Sequence, residues 1–475
     1  MTRFVPATDG SSVRPALLLA VLLAGWACAP REPDPGALRT AKTVELRPDA
    51  VLTLRPIRFD LPRTFRDRYG AAVDSVTVRI RRAVPEPDAP GIDSLQVTVT
   101  VGEIPARLDS TARSRLDRRD AYLLEIGPGG VRVVSSDTAG ALHGLTAVAE
   151  IAADRGGQLP EGTVLDWPDH PVRAFHFVAR GVSVESARRL IRLARENRFN
   201  TLMVQLADGV ALESMGKLAL DDAWSVEEFR GIVKYARENG LEFIPELKLL
   251  THQGKLLKKL YPELMYNRHT YDPRKERTYE VVLPIVDEVL EIVEPPALHI
   301  GHDEAAGVGG KENDELPAGQ EPLPAKLFLQ DVRRLHSYLA ERGVETWMWG
   351  DMLVGTDEFP GMLARHLHGV PEYTALRGRL PGDIVVNDWH YADDQAEFPS
   401  VRALIEAGHP TLGATWRAHE TTRAFSRYVA GLGDPKARGM IATTWWLVQE
   451  QRWEELAEVA EVSGDAFWSA SGSLR

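Results

Sequence analysis

The sequence predicts an α/β protein, a (β/α)8 TIM barrel preceded by a small α+β domain. Three observations point there. After Pro168, eight strand-like runs alternate with helical runs over roughly 300 residues. The stretch before it, residues 43–167, has strand-like runs without that alternation. Acids and aromatic residues then recur at the downstream ends of the eight runs, where a barrel of this kind gathers its functional groups.

A chain of 475 residues has room for more than one domain and a large core. Its 44% hydrophobic and 26% charged residues are ordinary for a globular protein. The net charge of -12 argues against nucleic acid as a partner. The N-terminus has a different character. Arg3 and Arg14 precede the apolar run Pro15 to Ala24, with small residues and Cys28 after it. That is the pattern of a secretory signal, too short for an ordinary spanning helix. Cys28 is the only cysteine, so it has no internal disulfide partner. Its place directly after the apolar run is similar to the lipidation site of bacterial lipoproteins. A plain cleavage after Ala29 competes, but sets Pro30 just beyond the cut. Residues 1–28 are thus expected to be a signal of lipoprotein type, and the Pro-rich, polar residues 29–42 a tether. No later segment approaches about 18 uninterrupted apolar residues. The protein is therefore expected to be exported to the cell envelope, touching a membrane only through the anchor.

Within 43–167, Ser75 to Ile80, Leu95 to Val101 and Ala121 to Ile126 read as strands. The last pairs with Val131 to Ser135 across a Gly-Pro-Gly-Gly turn. A helix from Thr138 to Ala153 puts Ala141, Leu145, Val148 and Ala149 on one face. No chemical constellation is visible in this domain, and His143 reads as a packed or surface histidine.

In 168–475 the strand-like runs start near Arg173, Thr201, Leu241, Ala297, Val344, Ile384, Thr411 and Gly439. Ser183 is the candidate N-cap of a helix with the apolar stripe Val184, Ala187, Leu190, Ile191 and Ala194. Ser225 and Glu228 spell a capping box for a helix that stops at Asn239-Gly240. Thr278 to Val293 and Ala325 to Arg342 continue the series.

The strand ends define the candidate site. The second run ends near Asp208, the third at Glu246 leading to His252, and the fourth at Asp303 and Glu304. The fifth gives Trp347, Trp349 and Asp351, the sixth Asp388, Trp389 and Tyr391, the seventh Trp416, and the eighth Trp445 and Trp446. Flat apolar faces with a polar edge suit the C–H faces of sugar rings, and about half of these tryptophans are assigned to a pocket, the others to the core. The pair Asp303–Glu304 follows the apolar strand Ala297 to Ile300 and Gly301, which lets the chain curve so that both acids can face one cleft. Two crowded carboxylates push their pKa values apart and supply an acid and an anion at one pH, the requirement of glycoside hydrolysis. A solvated acidic loop is the bland alternative. His176 reads as a packed barrel histidine, and Glu246 as a pocket carboxylate or a structural ion pair. The Gly-, Pro- and acid-rich segment Ala305 to Pro324 reads as a lid or a plain surface loop.

At these residues the chain resembles glycoside hydrolase family 20, the β-N-acetylhexosaminidase family, over both domains. The family's His-x-Gly-Gly-Asp-Glu is similar to His299-Ile-Gly-His-Asp-Glu304 here, with His302 in place of the second glycine. Tyr271-Asp272-Pro273 through Thr278-Tyr279 also looks like the family's approach to that motif. The resemblance implies Glu304 as general acid/base and Asp303 as the group that orients the substrate acetamido. The acetamido oxygen would be the nucleophile, so no enzymic nucleophile, cofactor or metal is expected. It further implies Arg173 as a grip on sugar hydroxyls, and Asp208 with His252 as a pair tuning the acid. Trp349, Trp389, Tyr391, Trp416 and Trp445 complete the candidate sugar site. Three departures stand out. Trp416 occupies the place of the family's tyrosine after the seventh strand, with Tyr391 as the candidate substitute. Trp446 and Leu447 follow the eighth strand where the family has an acid, and Gln205 replaces a histidine.

The expected activity is exo-hydrolysis of terminal β-linked GlcNAc or GalNAc. The alternatives are a non-catalytic carbohydrate-binding lipoprotein and a glycosidase for sugars without an acetamido group. A metal-dependent barrel hydrolase using His299, His302, Asp303 and Glu304 is disfavoured, because residues three apart on a strand face opposite sides.

Overall fold

The computed structural model describes residues 41–53, 57–83, 95–309, 315–393, 395–445 and 448–470. The signal, Cys28, most of the tether and Trp446 lie outside the described residues. Among the described residues no helix is long and apolar enough to cross a membrane.

Strands β1 (Thr43–Thr53), β2 (Ile57–Asp60), β3 (Leu95–Val101), β4 (Tyr122–Gly127), β5 (Gly130–Ser135) and β6 (Gln158–Asp166) form one six-stranded sheet in the order β1-β6-β4-β5-β3-β2. Four helices accompany it: α1 (Arg63–Arg68), α2 (Gly70–Ala83), α3 (Ser110–Leu116) and α4 (Thr138–Asp154). The expected strand at Ser75 to Ile80 is instead part of α2. Its alternating Val76-Thr77-Val78-Arg79-Ile80 looks like a strand, but Ala72, Val73, Val76 and Ile80 are buried while Val78 is 42% exposed. That is a helical period, and burial of its stripe outweighs the β preference of valine and isoleucine. Strands β1 and β6 were hidden for the opposite reason, since Pro48, Pro160 and Gly162 break their patterns. Gly162, at φ 143, is required there: a Cβ would lie 2.0 Å from the Glu45 carbonyl oxygen across the ladder.

The second sheet closes into a barrel of eight parallel strands: β7 (Val172–Val178), β8 (Thr201–Gln205), β9 (Glu242–Leu249), β10 (Ala297–Gly301), β11 (Glu345–Trp349), β12 (Val385–Trp389), β13 (Thr411–Thr415) and β14 (Ala437–Thr443). Their starts fall within two residues of the expected ones. The helices are α5 (Val184–Glu196), α6 (Val226–Glu238), α7 (Leu257–Leu260), α8 (Glu276–Val293), α9 (Ala325–Ala340), α10 (Pro371–Thr374), α11 (Pro399–Glu406), α12 (His419–Gly431) and α13 (Trp453–Trp468). Ser183 caps α5 and Ser225 with Glu228 forms the capping box of α6. Strand alternation sorts the side chains: Phe175, Phe177, Leu202, Leu298, Ile300 and Met348 pack outward against helices. Ala174, Met203, Ile244, Ala297, Trp347 and Leu412 fill the barrel.

Arg173 does not reach the site. It lies at the N-terminal end of β7, fully buried, with Nη2 2.8 Å from Asp120 Oδ2. Its Nε donates to the Arg198 carbonyl at 2.8 Å and its Nη1 to that of His170 at 2.9 Å. The guanidinium also lies 5.0 Å from the Trp468 ring. Asp120 accepts a second bond from Asn200 Nδ2 at 2.7 Å. Burial alone would raise the Asp120 pKa, but the Arg173 charge outweighs it and holds the carboxylate below its ordinary range. Arg173 is thus a clasp between the first sheet domain and the bottom of the barrel, not a sugar ligand. Asp120→Ala should leave an unpaired buried guanidinium and lower stability by about 3–5 kcal/mol, read as a fall in the urea midpoint.

Candidate active site

The C-terminal ends of the barrel strands surround a cavity of about 710 Å³. Its acids come from β10. Gly301 (φ 77), His302 (φ 71) and Glu304 (φ 51) are all left-handed, so the chain coils sharply and brings both Asp303 and Glu304 to the cavity. Each left-handed non-glycine residue costs roughly 1–2 kcal/mol, so the turn needs fixing from outside. The fully buried His302 supplies one fixing point. Its side chain turns away from the cavity, with Nδ1 3.0 Å from the Ile300 carbonyl oxygen and Nε2 2.9 Å from Asp331 Oδ2 on α9. Tyr271 and Tyr279 donate their hydroxyls to the same Asp331 at 2.9 and 2.5 Å. On the other side, the Glu304 N–H donates to Asp351 Oδ2 at 2.9 Å. Asp351 also takes His368 Nδ1 at 2.6 Å and Trp389 Nε1 at 3.2 Å.

Asp303 is 7% exposed, with Oδ2 3.2 Å from His252 Nε2 and 3.7 Å from Lys248 Nζ. Burial pushes its pKa up, but the Lys248 and His252 charges outweigh that and hold it well below the carboxylate range. Asp303 is therefore an anion at neutral pH. Its Oδ1 is buried with no hydrogen-bond partner among the described residues. His252, itself left-handed at φ 58, also lies 3.8 Å from Glu304 Oε2.

The opposite wall is aromatic. Trp389 and Tyr391 stack at 4.9 Å, and Trp416 meets Tyr391 edge-on at 5.7 Å. Trp445 Nε1 donates to the Tyr391 hydroxyl at 2.9 Å. Burial among these groups pushes the Tyr391 pKa well above its ordinary value, so the hydroxyl keeps its proton. Trp349 lies below, donating Nε1 to Glu246 Oε1 at 3.1 Å.

Glu246 proves to be a buried structural anion. It takes bonds from Gln205 Nε2 at 3.0 Å and His176 Nε2 at 3.1 Å. Burial would raise its pKa, yet His176 and the neighbouring histidine and lysine charges hold it at about 2.

The candidate residues Asp303, Glu304, Asp208, His252, Trp349, Trp389, Tyr391, Trp416 and Trp445 all line this cavity. Two expectations fail. Arg173 is at the far end of the barrel. Asp208 is not joined to His252: among the described residues its ion-pair partner is Arg180, with Nη1 3.4 Å from Oδ2. Arg180 follows the end of β7 and lines the cavity. The barrel rule that led to the acids would have found it, because a cation just past a strand end reaches the site and one at a strand start does not. Lys248 was also missed. It is hidden in the apolar run of β9, and only its position as an inward residue near a strand end marks it.

Among the described residues, two histidine–acid groups bring three ligand atoms within 4.8 Å of one another: His252, Asp303 and Glu304, and His366, His390 and Asp393. In the second, hydrogen bonds account for the geometry. Asp393 Oδ2 takes His366 Nδ1 at 2.5 Å and His390 Nδ1 at 2.9 Å, and His390 Nε2 meets Ser400 Oγ at 2.9 Å. His299 and His302 diverge, one into the barrel against Trp349 and one out to α9, so they do not converge on a single ion.

A cavity with a carboxylate pair after the fourth strand and an aromatic wall from the later strands defines a class of (β/α)8 barrels with a glycosidase-like site. Residues 205–415 match the model of the glycosyl hydrolase family 20 catalytic domain. That stretch is under half of the chain, and the chain resembles the family at low identity. It is 24% identical over 321 residues to a Vibrio furnissii beta-hexosaminidase, covering 56% of this chain and 49% of that protein. It is 22% identical over 234 residues to human beta-hexosaminidase subunit beta, covering 43% of this chain and 40% of that protein. The chain therefore spans about half or less of these curated relatives. In fold it is similar to the Streptomyces plicatus N-acetyl-beta-hexosaminidase solved with thio-NAglucal, with a TM-score of 0.67 and 18% identity over 93% of this chain and 92% of that one.

The left-handed turn yields a stability test. His302→Ala keeps the strained backbone and removes one bond to buried Asp331, and should cost about 1–3 kcal/mol. His302→Gly loses the same bond but relieves the backbone, so its urea midpoint should lie above that of the alanine variant by about 1 kcal/mol.

Proposed function

We propose that the chain is an exo-β-N-acetylhexosaminidase that removes terminal β-linked GlcNAc or GalNAc by substrate-assisted, retaining catalysis. The observation that carries this is the pairing of two unlike carboxylates in one cavity. Asp303 is held anionic by Lys248 and His252, while Glu304 beside it is partly exposed and reachable by a leaving group.

In this mechanism Glu304 donates its proton to the glycosidic oxygen as the substrate acetamido oxygen attacks the anomeric carbon. The C–O bond to the leaving group breaks and an oxazolinium forms. Glu304, now a carboxylate, takes a proton from the water that opens that ring, which regenerates the acid and retains the configuration. Asp303 accepts the acetamido N–H on its unpartnered Oδ1 and stabilises the positive charge that develops on the ring. The Tyr391 hydroxyl already accepts from Trp445, so its own proton is left to donate to the acetamido oxygen, in the place of the tyrosine missing after β13. The aromatic wall receives the sugar face and excludes water. Keeping the nucleophile inside the substrate supplies effective molarity in place of an enzymic nucleophile.

Hydrolysis of p-nitrophenyl β-GlcNAc by the full chain, beside Glu304→Gln, tests this. Release by the wild type with a loss of at least ~10²-fold in the variant is expected. Release from the glucoside but not the amino-sugar substrate would favour a sugar without an acetamido group. Binding of GlcNAc without hydrolysis of any substrate would favour a carbohydrate-binding protein.

The pH profile carries an independent expectation. Lys248 is the largest of the influences that lower the Asp303 pKa. In Lys248→Met that pKa rises, more Asp303 is neutral at a given acidic pH, and the acid limb of kcat/KM should move to higher pH.

We further propose export with a lipid on Cys28. Cys28→Ala should shift the protein from the membrane to the soluble envelope fraction, and recovery of wild type with the cytosol would sink this.

A further inference from the structure

Tyr391 has a task in the proposed reaction that its place in the fold does not secure. Strand β12 stops at Trp389, and the ladder gives out one residue later, where the His390 N–H donates to the Ala414 carbonyl at 2.9 Å. Tyr391 lies beyond that bond, in a bend outside the strands. Stacking on Trp389 sets the plane of its ring but tolerates sliding, and the bond from Trp445 comes from another residue past a strand end. A side chain from a neighbouring connection fixes the backbone instead. The Tyr391 N–H donates to His366 Nε2 at 3.4 Å.

His366 closes the turn Ala364–His366 in the connection between β11 and α10. It is fully buried and meets the edges of both Trp389 and Tyr391, at 5.0 and 5.9 Å. Asp393 ties this connection to the one that follows β12. Its Oδ1 accepts the Leu363 N–H at 2.8 Å, and its Oδ2 accepts from His366 Nδ1 at 2.5 Å and His390 Nδ1 at 2.9 Å. Burial would raise the Asp393 pKa, but the two histidines outweigh it and keep the carboxylate ionised. An ionised carboxylate only accepts, so the His366 proton is on Nδ1 and Nε2 offers its lone pair to the Tyr391 amide. Burial lowers the His366 pKa, which keeps off the second proton that would oppose the Tyr391 N–H. Burial would lower that of His390 too, but Asp388 and Asp393 outweigh it and raise it to about 9. His390 therefore donates from both nitrogens, the second to Ser400 Oγ at 2.9 Å. Asp388, His390, Asp393 and His366 are all buried, and apolar residues would fill that space at less cost. The chain of bonds they form ends at the Tyr391 amide, beside the cavity.

We propose that His366 is a positioning residue: held by Asp393, it sets the Tyr391 hydroxyl against the acetamido oxygen through the Tyr391 amide. This rests on the hexosaminidase proposal. A group displaced by about 1 Å from a reacting atom can cost up to ~10²-fold in rate, so a backbone bond outside the cavity is enough to matter.

Two substitutions separate the two sides of the imidazole. His366→Asn keeps a donor for Asp393 at the position of Nδ1 but has nothing at that of Nε2. His366→Gln keeps an acceptor for the Tyr391 N–H at the position of Nε2 but gives up the Asp393 bond. Both are measured in the full chain on p-nitrophenyl β-GlcNAc, beside Tyr391→Phe and the double variant His366→Asn/Tyr391→Phe. Tyr391→Phe removes the donor itself and should cost about 10²-fold in kcat/KM. His366→Asn should cost about tenfold, mostly in kcat, while His366→Gln stays within about threefold of wild type. The double variant should match Tyr391→Phe, because without the hydroxyl nothing is left to position. A residue that merely satisfied Asp393 would give the reverse order, with the Gln variant the worse. That order, equal losses in the two, wild-type activity in His366→Asn or Tyr391→Phe, or losses that multiply in the double variant would overturn the inference and leave the hydrolase standing. If His366→Asn does not fold, the Gln variant decides alone, and a loss of about tenfold there overturns the inference. No hydrolysis by the wild type would overturn the hexosaminidase proposal and this inference with it.

Discussion

An extended strand sends neighbouring side chains to opposite faces, so Asp303 and Glu304 can share a cavity only where β10 abandons that geometry. It does so through left-handed residues at 301, 302 and 304. Gly301 adopts that backbone cheaply, but His302 and Glu304 do not, and a strained turn persists only if its surroundings over-determine it. They do so from two sides. Asp331 on α9 anchors the His302 ring from outside the barrel, and Asp351 after β11 holds the Glu304 amide from the neighbouring strand end. The aromatic wall hangs on the same anchor, because Asp351 also accepts the Trp389 indole. Acid pair and aromatic wall are thus placed by one set of buried carboxylates.

Those carboxylates would be prohibitively expensive alone, and the chain treats each of them similarly. Glu246 has His176, Asp303 has His252, Asp331 has His302, Asp351 has His368, and Asp393 has His366 and His390. An imidazole within 3.2 Å satisfies a buried carboxylate, by a hydrogen bond in every pair but Asp303–His252, and brings less desolvation cost than a lysine or arginine would. Two members show how neighbours decide the outcome. Among the described residues His299 has no carboxylate in hydrogen-bond contact, and burial pushes it down to about 4, where it is neutral. His390 sits between Asp388 and Asp393, which outweigh burial and raise it to about 9. The ring of histidine–acid pairs around the cavity therefore mixes neutral and charged members, set by how many anions each imidazole faces.

Much of this was legible in the chain because it is periodic. Barrel strands bury both faces, so their apolar runs, helix caps and spacing stand out, and the strand-end rule then picked out Asp303, Glu304, His252 and the tryptophans. The failures have physical causes. Val76 to Ile80 carries a strand's alternation but buries a helix's stripe, which only its packing against the sheet decides. Arg173 was chosen from a motif likeness although it opens β7, where side chains point to the barrel's closed end. Asp208 was paired with His252 on the family likeness, whereas Arg180, just past the neighbouring strand end, takes that carboxylate. The carboxylate under Trp349 was ambiguous since an inward glutamate looks the same from sequence whether it meets substrate or His176.

The cavity also divides its labour by element. The acids and rings belong to strand ends or the residues next to them, and their anchors are buried side chains on neighbouring elements, so their relative positions are fixed by the barrel itself. Lys258 and Arg268 belong instead to the connection between β9 and α8, which is tied by backbone and amide hydrogen bonds but carries its charges into solvent. The same connection also carries His252 against Asp303 and Tyr271 against Asp331, so it reaches the turn at 301–304 through those two residues and not through Lys258 or Arg268. Within one connection, buried side chains thus brace the acids while exposed ones set the charge at the cavity's edge, so a change at 258 or 268 alters that charge without removing a support of the turn.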